Sequence, residues 1–508
     1  MLVNAATTSF FYPPTPIKPN SVGKSFTKAS LPFTTNIHPN FYGFNVKNIA
    51  KRNSRFSCLC HPPPPSSEVA VASDCEEVDA GIGIHDFFVG KNIFVTGATG
   101  LLGKVIVEKI LRSTLVGKVY LLIKARDKED AFNRLNCEII SSELFMCLKE
   151  KYGKSFEAFV KAKVIAVVGD ICQPNLGMDF ESIESIRKDV NVIIHSAACT
   201  TFYERYDLIF DINVIAPQRI MRFAKTCNQL QLFTHISTAY VTEREEGVVL
   251  EKPLNIGGLD VADEISLLLK SSPNNIEATI FFKKLGQQRA KLLGWSSTYQ
   301  LSKAMGEMCL NEMRGDVPLL IIRPACIESC YREPLPGWIQ GLRTLGPVIV
   351  SYGKGILPAY YANPQVPLDI VPADLVANTT IAAIAKHGKG HVAQQPAMQK
   401  YQKSKFFDDF EEFSKFLREE IMRNNGGGED RKIIRRCNAK AEYVEQLCKM
   451  YEFTGFFKPR FHAGNTKRLI QEMSKEEKLD FEVDVKNIDW KMYFHEIYVP
   501  GETKYAIN

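Results

Sequence analysis

Between residues 91 and 240 the chain alternates short apolar runs with longer stretches in which apolar positions return every three or four residues. The runs KNIFVT (91–96), Val119–Ile123, Val164–Val168, Val190–Ile194 and Leu232–Ile236 have strand length and carry many β-branched residues. Strands covered on both faces read as such continuous runs, without polar alternation. VIVEKILR, between residues 105 and 112, has the helical period. Strands alternating with helices predict an α/β fold, a doubly wound parallel sheet. From about Phe406 to Asn508 the period is helical throughout and charge is dense, with a break at Gly426-Gly427-Gly428, so a small helical C-terminal domain is expected there. No apolar run reaches the roughly eighteen residues of a membrane span. Peripheral contact with a membrane stays open.

The first strand runs straight into a glycine turn, Thr96-Gly97-Ala98-Thr99-Gly100-Leu101-Leu102-Gly103. In a strand–turn–helix unit, Gly97 permits the tight turn, Gly100 lets the backbone approach a pyrophosphate, and Gly103 allows helix and sheet to pack closely. Thr96, Leu101 and Leu102 complete the turn, and the fold expected is of the Rossmann type. The second strand ends in Lys124-Ala125-Arg126, where a site for NAD would place an acid against the ribose 2′-hydroxyl. Ammonium and guanidinium groups suit a 2′-phosphate instead, so the pattern points to NADPH, with Arg134 as a further donor. Asp170 and Ile171 follow the third strand, placed to meet the adenine. Ser196, Ala197 and Ala198 follow the fourth, and the small alanines leave room for the cofactor.

Leu232–Ile236 leads into Ser237-Thr238-Ala239-Tyr240, and a later helical stretch opens with Tyr299-Gln300-Leu301-Ser302-Lys303. A spacing of four puts Tyr299 and Lys303 on one helix face. A phenol, with an ordinary pKa of about 10, needs a neighbouring cation to exchange protons near neutrality. Lys303 supplies one and can also hold the nicotinamide ribose. The hydroxyl of Thr238 or of Ser237 would steady the substrate oxygen. Cys199 is a conceivable acyl-carrying nucleophile, but no histidine base accompanies it in the sequence and a packing role explains it as well.

Composition narrows the classes further. The net charge of +6 is concentrated early: Met1 to Ser67 contains no acid, while Lys18, Lys24, Lys28, Lys47, Lys51, Arg52 and Arg55 make it basic. Such Ser/Thr-bearing, acid-free segments without an apolar core read as organelle transit peptides, here of plastid type, so residues 1–80 are expected to be leader and linker. The basic excess then gives no ground for nucleic-acid binding. The 13 cysteines are scattered, without paired spacings that would suggest a metal site or a disulfide framework.

The order of these motifs resembles the extended short-chain dehydrogenases/reductases, and longer matches resemble one branch, the plant fatty acyl reductases of male-sterility type. They are TGATGLLGK, VYLLIKARDK, TTFYERYD, STAYV, TYQLSKAMGE, RGDVPLLIIRP, EPLPGWIQG, DIVPADLVAN, RFHAGNTKRL and IDW. The resemblance spans Gly81 to the end. It implies an NADP-binding domain with substrate-binding elements over 81–395 and a helical domain over 396–508. It further implies Tyr299 and Lys303 as catalytic, with Thr238 or Ser237 as hydroxyl partner, and reduction of a fatty acyl thioester to a primary alcohol. Acyl-CoA and acyl-ACP are both open as carriers, the latter with acyl carrier protein as a partner. The stretch HVAQQPAMQKYQKSKFF departs from the family pattern on the substrate side, so a homologue with weak or no turnover is the alternative. Nothing before Lys91 is expected to be needed for the nucleotide fold.

Overall fold

The computed structural model describes residues 81–507 apart from 246, 255, 271–277, 367, 390–405, 408 and 426–430, with one two-residue strand pair upstream, Asn40–Phe41 against Phe44–Asn45. The expected leader otherwise lies outside the described residues. So do the triple-glycine break, the 395/396 boundary and most of the departing stretch.

Six strands form one sheet: β1 (Ile93–Thr96), β2 (Val119–Ile123), β3 (Val164–Val168), β4 (Val192–His195), β5 (Leu232–Ile236) and β6 (Leu319–Ile322). Their order is β3-β2-β1-β4-β5-β6, and every pairing is parallel. The order reverses between β1 and β4, which opens a crevice at the carboxyl ends of the strands. Successive residues serve two cores. Ile93, Val95, Leu121, Ile194 and Ile322 face one, and Phe94, Leu122, Ile193, Phe233 and Ile321 face the other. This double use of each strand is why the sequence shows apolar runs with no polar alternation.

The first core is closed by two helices, α2 (Leu101–Ser113) and α5 (Ala373–His387), packed on each other across the sheet. The second is closed by α3 (Ala216–Ala224) and the far end of α4 (Thr298–Met313), through Ile220, Met221 and Leu310. Residues before Lys91 do matter, contrary to the sequence expectation. A five-residue helix, α1 (Ile84–Phe88), buries Ile84 and Phe88 completely in the first core. The Ile82 and Ile84 amides both donate to the Glu477 carboxylate at 2.8 Å. Burying two such side chains contributes about 1.5–3 kcal/mol each.

The C-terminal region is helical, with α6 (Phe410–Asn424) and α7 (Arg431–Met450) packed as a hairpin through Phe413, Leu417, Cys437 and Val444. It is laced to the substrate side of the sheet by short parallel pairs, Arg460–Phe461 with Val248–Val249 and Tyr360–Tyr361 with Phe406–Phe407. Its last turns bury Tyr493 and Tyr498 in the first core. Among the described residues no helix is long and apolar enough to cross a membrane, and no His/Cys/Asp/Glu group could hold a metal ion.

Candidate active site

The turn after β1 has the backbone that its glycines allow. Gly97 takes φ +79°, and a side chain there would strike the Ala197 backbone at 2.5 Å. At Gly103 a Cβ would lie 2.2 Å from the Gly97 carbonyl, so α2 starts hard against the turn. Gly100 caps α2 and leaves its first amides open toward the crevice. Leu101 and Leu102 are buried beneath. Thr96 binds the neighbouring loop, since Ser196 N donates to its carbonyl and Ala197 N, at 3.4 Å, to its hydroxyl. Space closed to any Cβ but open toward the helix start fits a dinucleotide pyrophosphate.

At the end of β2, Lys124 and Arg126 are largely exposed. Lys124 Nζ pairs with Asp170 at 2.7 Å, and Arg126 pairs with Asp130 at 3.3 Å. Arg134 binds Glu138 and donates to the Lys124 carbonyl. The expected adenine-side acid and the expected phosphate-side lysine are therefore partners of one another here. Ile171 is half-buried beside them, and Asp170 also accepts from Cys172 N.

Tyr299 and Lys303 lie on the first turns of α4, whose start is capped by Ser297. The two are engaged separately. The Tyr299 phenol lies beside the Thr238 hydroxyl; burial pushes its pKa up, reinforced by the Cys326 and Cys199 thiols and opposed by Thr238. Lys303, almost fully buried, donates to the Ile236 carbonyl at 2.7 Å and lies 3.4 Å from His235 Nε2. Burial lowers its ammonium to about 8, with Glu307 opposing. Of the two candidate hydroxyls, Thr238 meets the phenol. Ser237 Oγ is buried with no hydrogen-bond partner among the described residues, and its amide donates to Ile322 O at 2.7 Å.

Compared with known families, residues 95–380 match an NAD-binding domain described as male sterility protein, and residues 427–508 match the Sterile domain of the same description. The chain belongs to the male sterility family. Fatty acyl-CoA reductase 2, chloroplastic, of Arabidopsis thaliana is 39% identical to it over 84% of this chain and 80% of the relative. The alcohol-forming fatty acyl-CoA reductase of Simmondsia chinensis is 41% identical over 60% of this chain and 65% of the relative. Among solved structures, the terminal R domain from the myxalamid PKS-NRPS biosynthetic pathway aligns with TM-score 0.53 at 16% identity, covering 82% of this chain and 91% of that one. At that identity the likeness concerns the fold. As a male sterility protein with this NAD-binding domain, the chain takes a nicotinamide dinucleotide.

Three features of this male sterility protein escaped the sequence reading. His195 and His235 stand in register on β4 and β5 beside Thr96 on β1, forming a buried row below the crevice. Thr96 Oγ1 lies 2.7 Å from His195 Nδ1, and the two imidazoles lie 5.1 Å apart. Burial holds both neutral: His195 falls to about 3 and His235 well below its ordinary value. Asn213, in a π-helical turn, binds Cys199 N, Cys199 O and Ser302 Oγ at 2.9 Å each, fixing the loop after β4 to α4. Cys199 itself is pushed up by burial, the wrong direction for a thiolate nucleophile. Finally, Phe202 stacks edge-on to Tyr299 at 5.8 Å and to Phe453 at 5.2 Å, bringing a C-terminal residue within two rings of the phenol. Only the polar residues inside apolar stretches hinted at the first two, and nothing local signalled the third.

Proposed function

We propose that this protein reduces a long-chain fatty acyl thioester through an aldehyde to a primary alcohol, using NADPH twice. The observation that carries this reading is the Thr238 hydroxyl beside the buried Tyr299 phenol, at the edge of an aromatic cleft closed by Phe202, Tyr240 and Phe453. The nicotinamide supplies hydride when bound. The first hydride makes a hemithioacetal, which collapses to the aldehyde and releases the thiol; the second makes the alkoxide. Tyr299 gives its proton to the substrate oxygen, and Thr238 holds that oxygen beside the phenol. Lys303 keeps a cation beneath the site and would hold the nicotinamide ribose. The exposed pair Lys124 and Arg126, with Arg134 behind them, supports NADPH over NADH.

The relatives' names support the acyl substrate and the alcohol product. The basic, acid-free residues 1–67 and the chloroplastic relative support a plastid location, and with it acyl carrier protein as thioester carrier. Purified protein incubated with NADPH and a panel of acyl-CoA and acyl-ACP thioesters should yield primary alcohols by gas chromatography. Turnover confined to sugar nucleotides, or none at all, would overturn the reading. Residues 1–73 fused to a fluorescent protein should enter plastids; fluorescence elsewhere would shift the preference to acyl-CoA.

A further inference from the structure

A cavity of about 360 Å³ opens between the catalytic lobe and the C-terminal region, lined among others by Tyr203, Glu243, Ser296, Glu452, Phe453 and Lys458. Its floor is the entry to the catalytic helix. Ser296, three residues before Tyr299, gives both its amide and its hydroxyl to Glu243 at 3.0 Å. Its inner wall is Phe453, which touches Phe202, and Phe202 touches Tyr299. Thr298 donates to the Phe202 carbonyl at 2.8 Å, so the loop carrying this ring is tied to the helix carrying the phenol.

The lining is too charged for a hydrocarbon chain alone. Methylene groups packed against Glu243, Glu452 and Lys458 would strip water from charges and return no hydrogen bonds. It suits a chain that alternates amides with short apolar segments, because the acids and Tyr203 supply polar contacts and Phe453, Phe456 and Phe457 supply apolar faces. The lining also holds three cations, among them Lys458, and a third acid, Glu245. Lys458 is exposed, Lys449 lies 4.3 Å over the Phe410 ring, and Arg244 lies 5.2 Å over Trp295. A phosphate at the outer end of such a chain would meet them.

We propose that this cavity receives the phosphopantetheine arm of the thioester substrate, with the Phe202–Phe453 ring pair flanking the passage by which its thioester end reaches Tyr299. The inference rests on the acyl thioester reading given above. CoA and acyl carrier protein present the same arm, so the cavity reads the arm and is indifferent to what lies beyond it. The aldehyde formed in the first reduction has lost the arm, which provides the control.

The test compares KM for palmitoyl-CoA, palmitoyl-ACP and hexadecanal, all with NADPH, in wild type, Glu452→Trp and Lys458→Glu. The indole fills the cavity, and the reversed charge opposes the phosphate. In each variant the ratio of thioester KM to aldehyde KM should rise at least tenfold, for both carriers alike. A parallel rise for hexadecanal would mean that the cavity holds the acyl chain. A rise with palmitoyl-ACP alone would mean contact with the carrier's protein surface, and no change in the ratio would place the cavity off the substrate path; each of the three overturns the proposal. Should Glu452→Trp fail to fold, Lys458→Glu decides alone. A wild type that reduces hexadecanal but neither thioester defeats the functional reading itself, which is a separate result.

Discussion

Lys303 Nζ and His235 Nε2 face each other at 3.4 Å in the floor of the crevice, so a buried ammonium leans on a neutral imidazole and a backbone carbonyl, without a carboxylate in direct contact among the described residues. The groups around the pair are His195 on β4, Glu307 on α4 and Tyr299 on the same helix face. Glu307 is itself held by Arg323 at 3.1 Å. With Nε2 accepting from Lys303, His235 carries its proton on Nδ1, which has no partner among the described residues.

His235→Phe removes one acceptor of the ammonium. The charged form of Lys303 then loses stabilisation, and its pKa falls below the present value of about 8. A charge-assisted hydrogen bond is worth about 1.5–3 kcal/mol, and this one is long, so the basic limb of the kcat profile should move down by about one pH unit. His235→Gln, which keeps an acceptor, should recover most of the shift. A profile that stays in place in His235→Phe would show that the imidazole only fills space.

Tyr299→Phe keeps the ring against Phe202 and removes the proton donor. Turnover should fall about 10²–10⁴-fold while NADPH affinity stays within threefold. Thr238→Val should cost at least tenfold in kcat and Ser237→Ala less than twofold, because Thr238 and not Ser237 acts on the phenol. Single-turnover rates check both, and equal losses for the two hydroxyls would put the assignment of Thr238 aside.

Replacing Lys124 and Arg126 together with Ala should erase most of the preference for NADPH over NADH, measured as the ratio of kcat/KM. The loss reflects charge-assisted bonds to the 2′-phosphate. The single change Lys124→Ala also frees Asp170 from its 2.7 Å partner, so NADH should gain as NADPH loses. An unmoved ratio in the double variant would leave the pair as surface charge.

Near the C-terminus, Tyr498 OH lies 3.0 Å from both Glu328 Oε2 and Glu502 Oε1. Burial raises Glu502 to about 7 and Glu328 well above its ordinary value. The folded state therefore binds more protons than the unfolded one between about pH 4.5 and 7, and stability falls as pH rises through that window. Glu502→Gln keeps an acceptor for Tyr498 and removes the titration. Its Tm should exceed that of wild type at pH 8, by an amount on the order of 1–3 kcal/mol in stability, and the gap should close near pH 5. A constant gap across that range would refute the titration.

A chain beginning at Gly81 should keep wild-type Tm and activity, whereas one beginning at Lys91 should melt well below it. The difference tests α1, since only the longer chain retains Ile84, Phe88 and the two amides on Glu477.

Whatever is carried by local pattern could be read in advance. Five of the six strands follow from apolar runs and the cofactor turn from its glycines, and Tyr299 and Lys303 follow from a four-residue spacing at a helix start; the sixth strand, Leu319–Ile322, and the strand order did not. Three kinds of feature could not be. α1 spans five residues, too few for a helical period to stand out. The choice between Ser237 and Thr238 depends on how the strand end twists, which neighbouring hydroxyls do not reveal. His195 and His235 read as polar intrusions in apolar strands until parallel register sets them side by side. Phe453 reaches the catalytic ring only through long-range packing, for which no spacing rule exists.

The two-residue pairing of Arg460–Phe461 with Val248–Val249 has a consequence in time as well as in space. A chain synthesised from its N-terminus completes β1 to β6 and the glycine turn while the segment that walls the catalytic cleft is still unmade. Contacts of such large sequence separation close last, because loop entropy must be overcome before they return any stabilisation. The nucleotide half can thus be complete as a folding unit before the acyl half exists. A nascent or truncated chain would then expose Phe202, Tyr240 and the open edge of the cleft, and that interval is where a chaperone, or aggregation, would act on it.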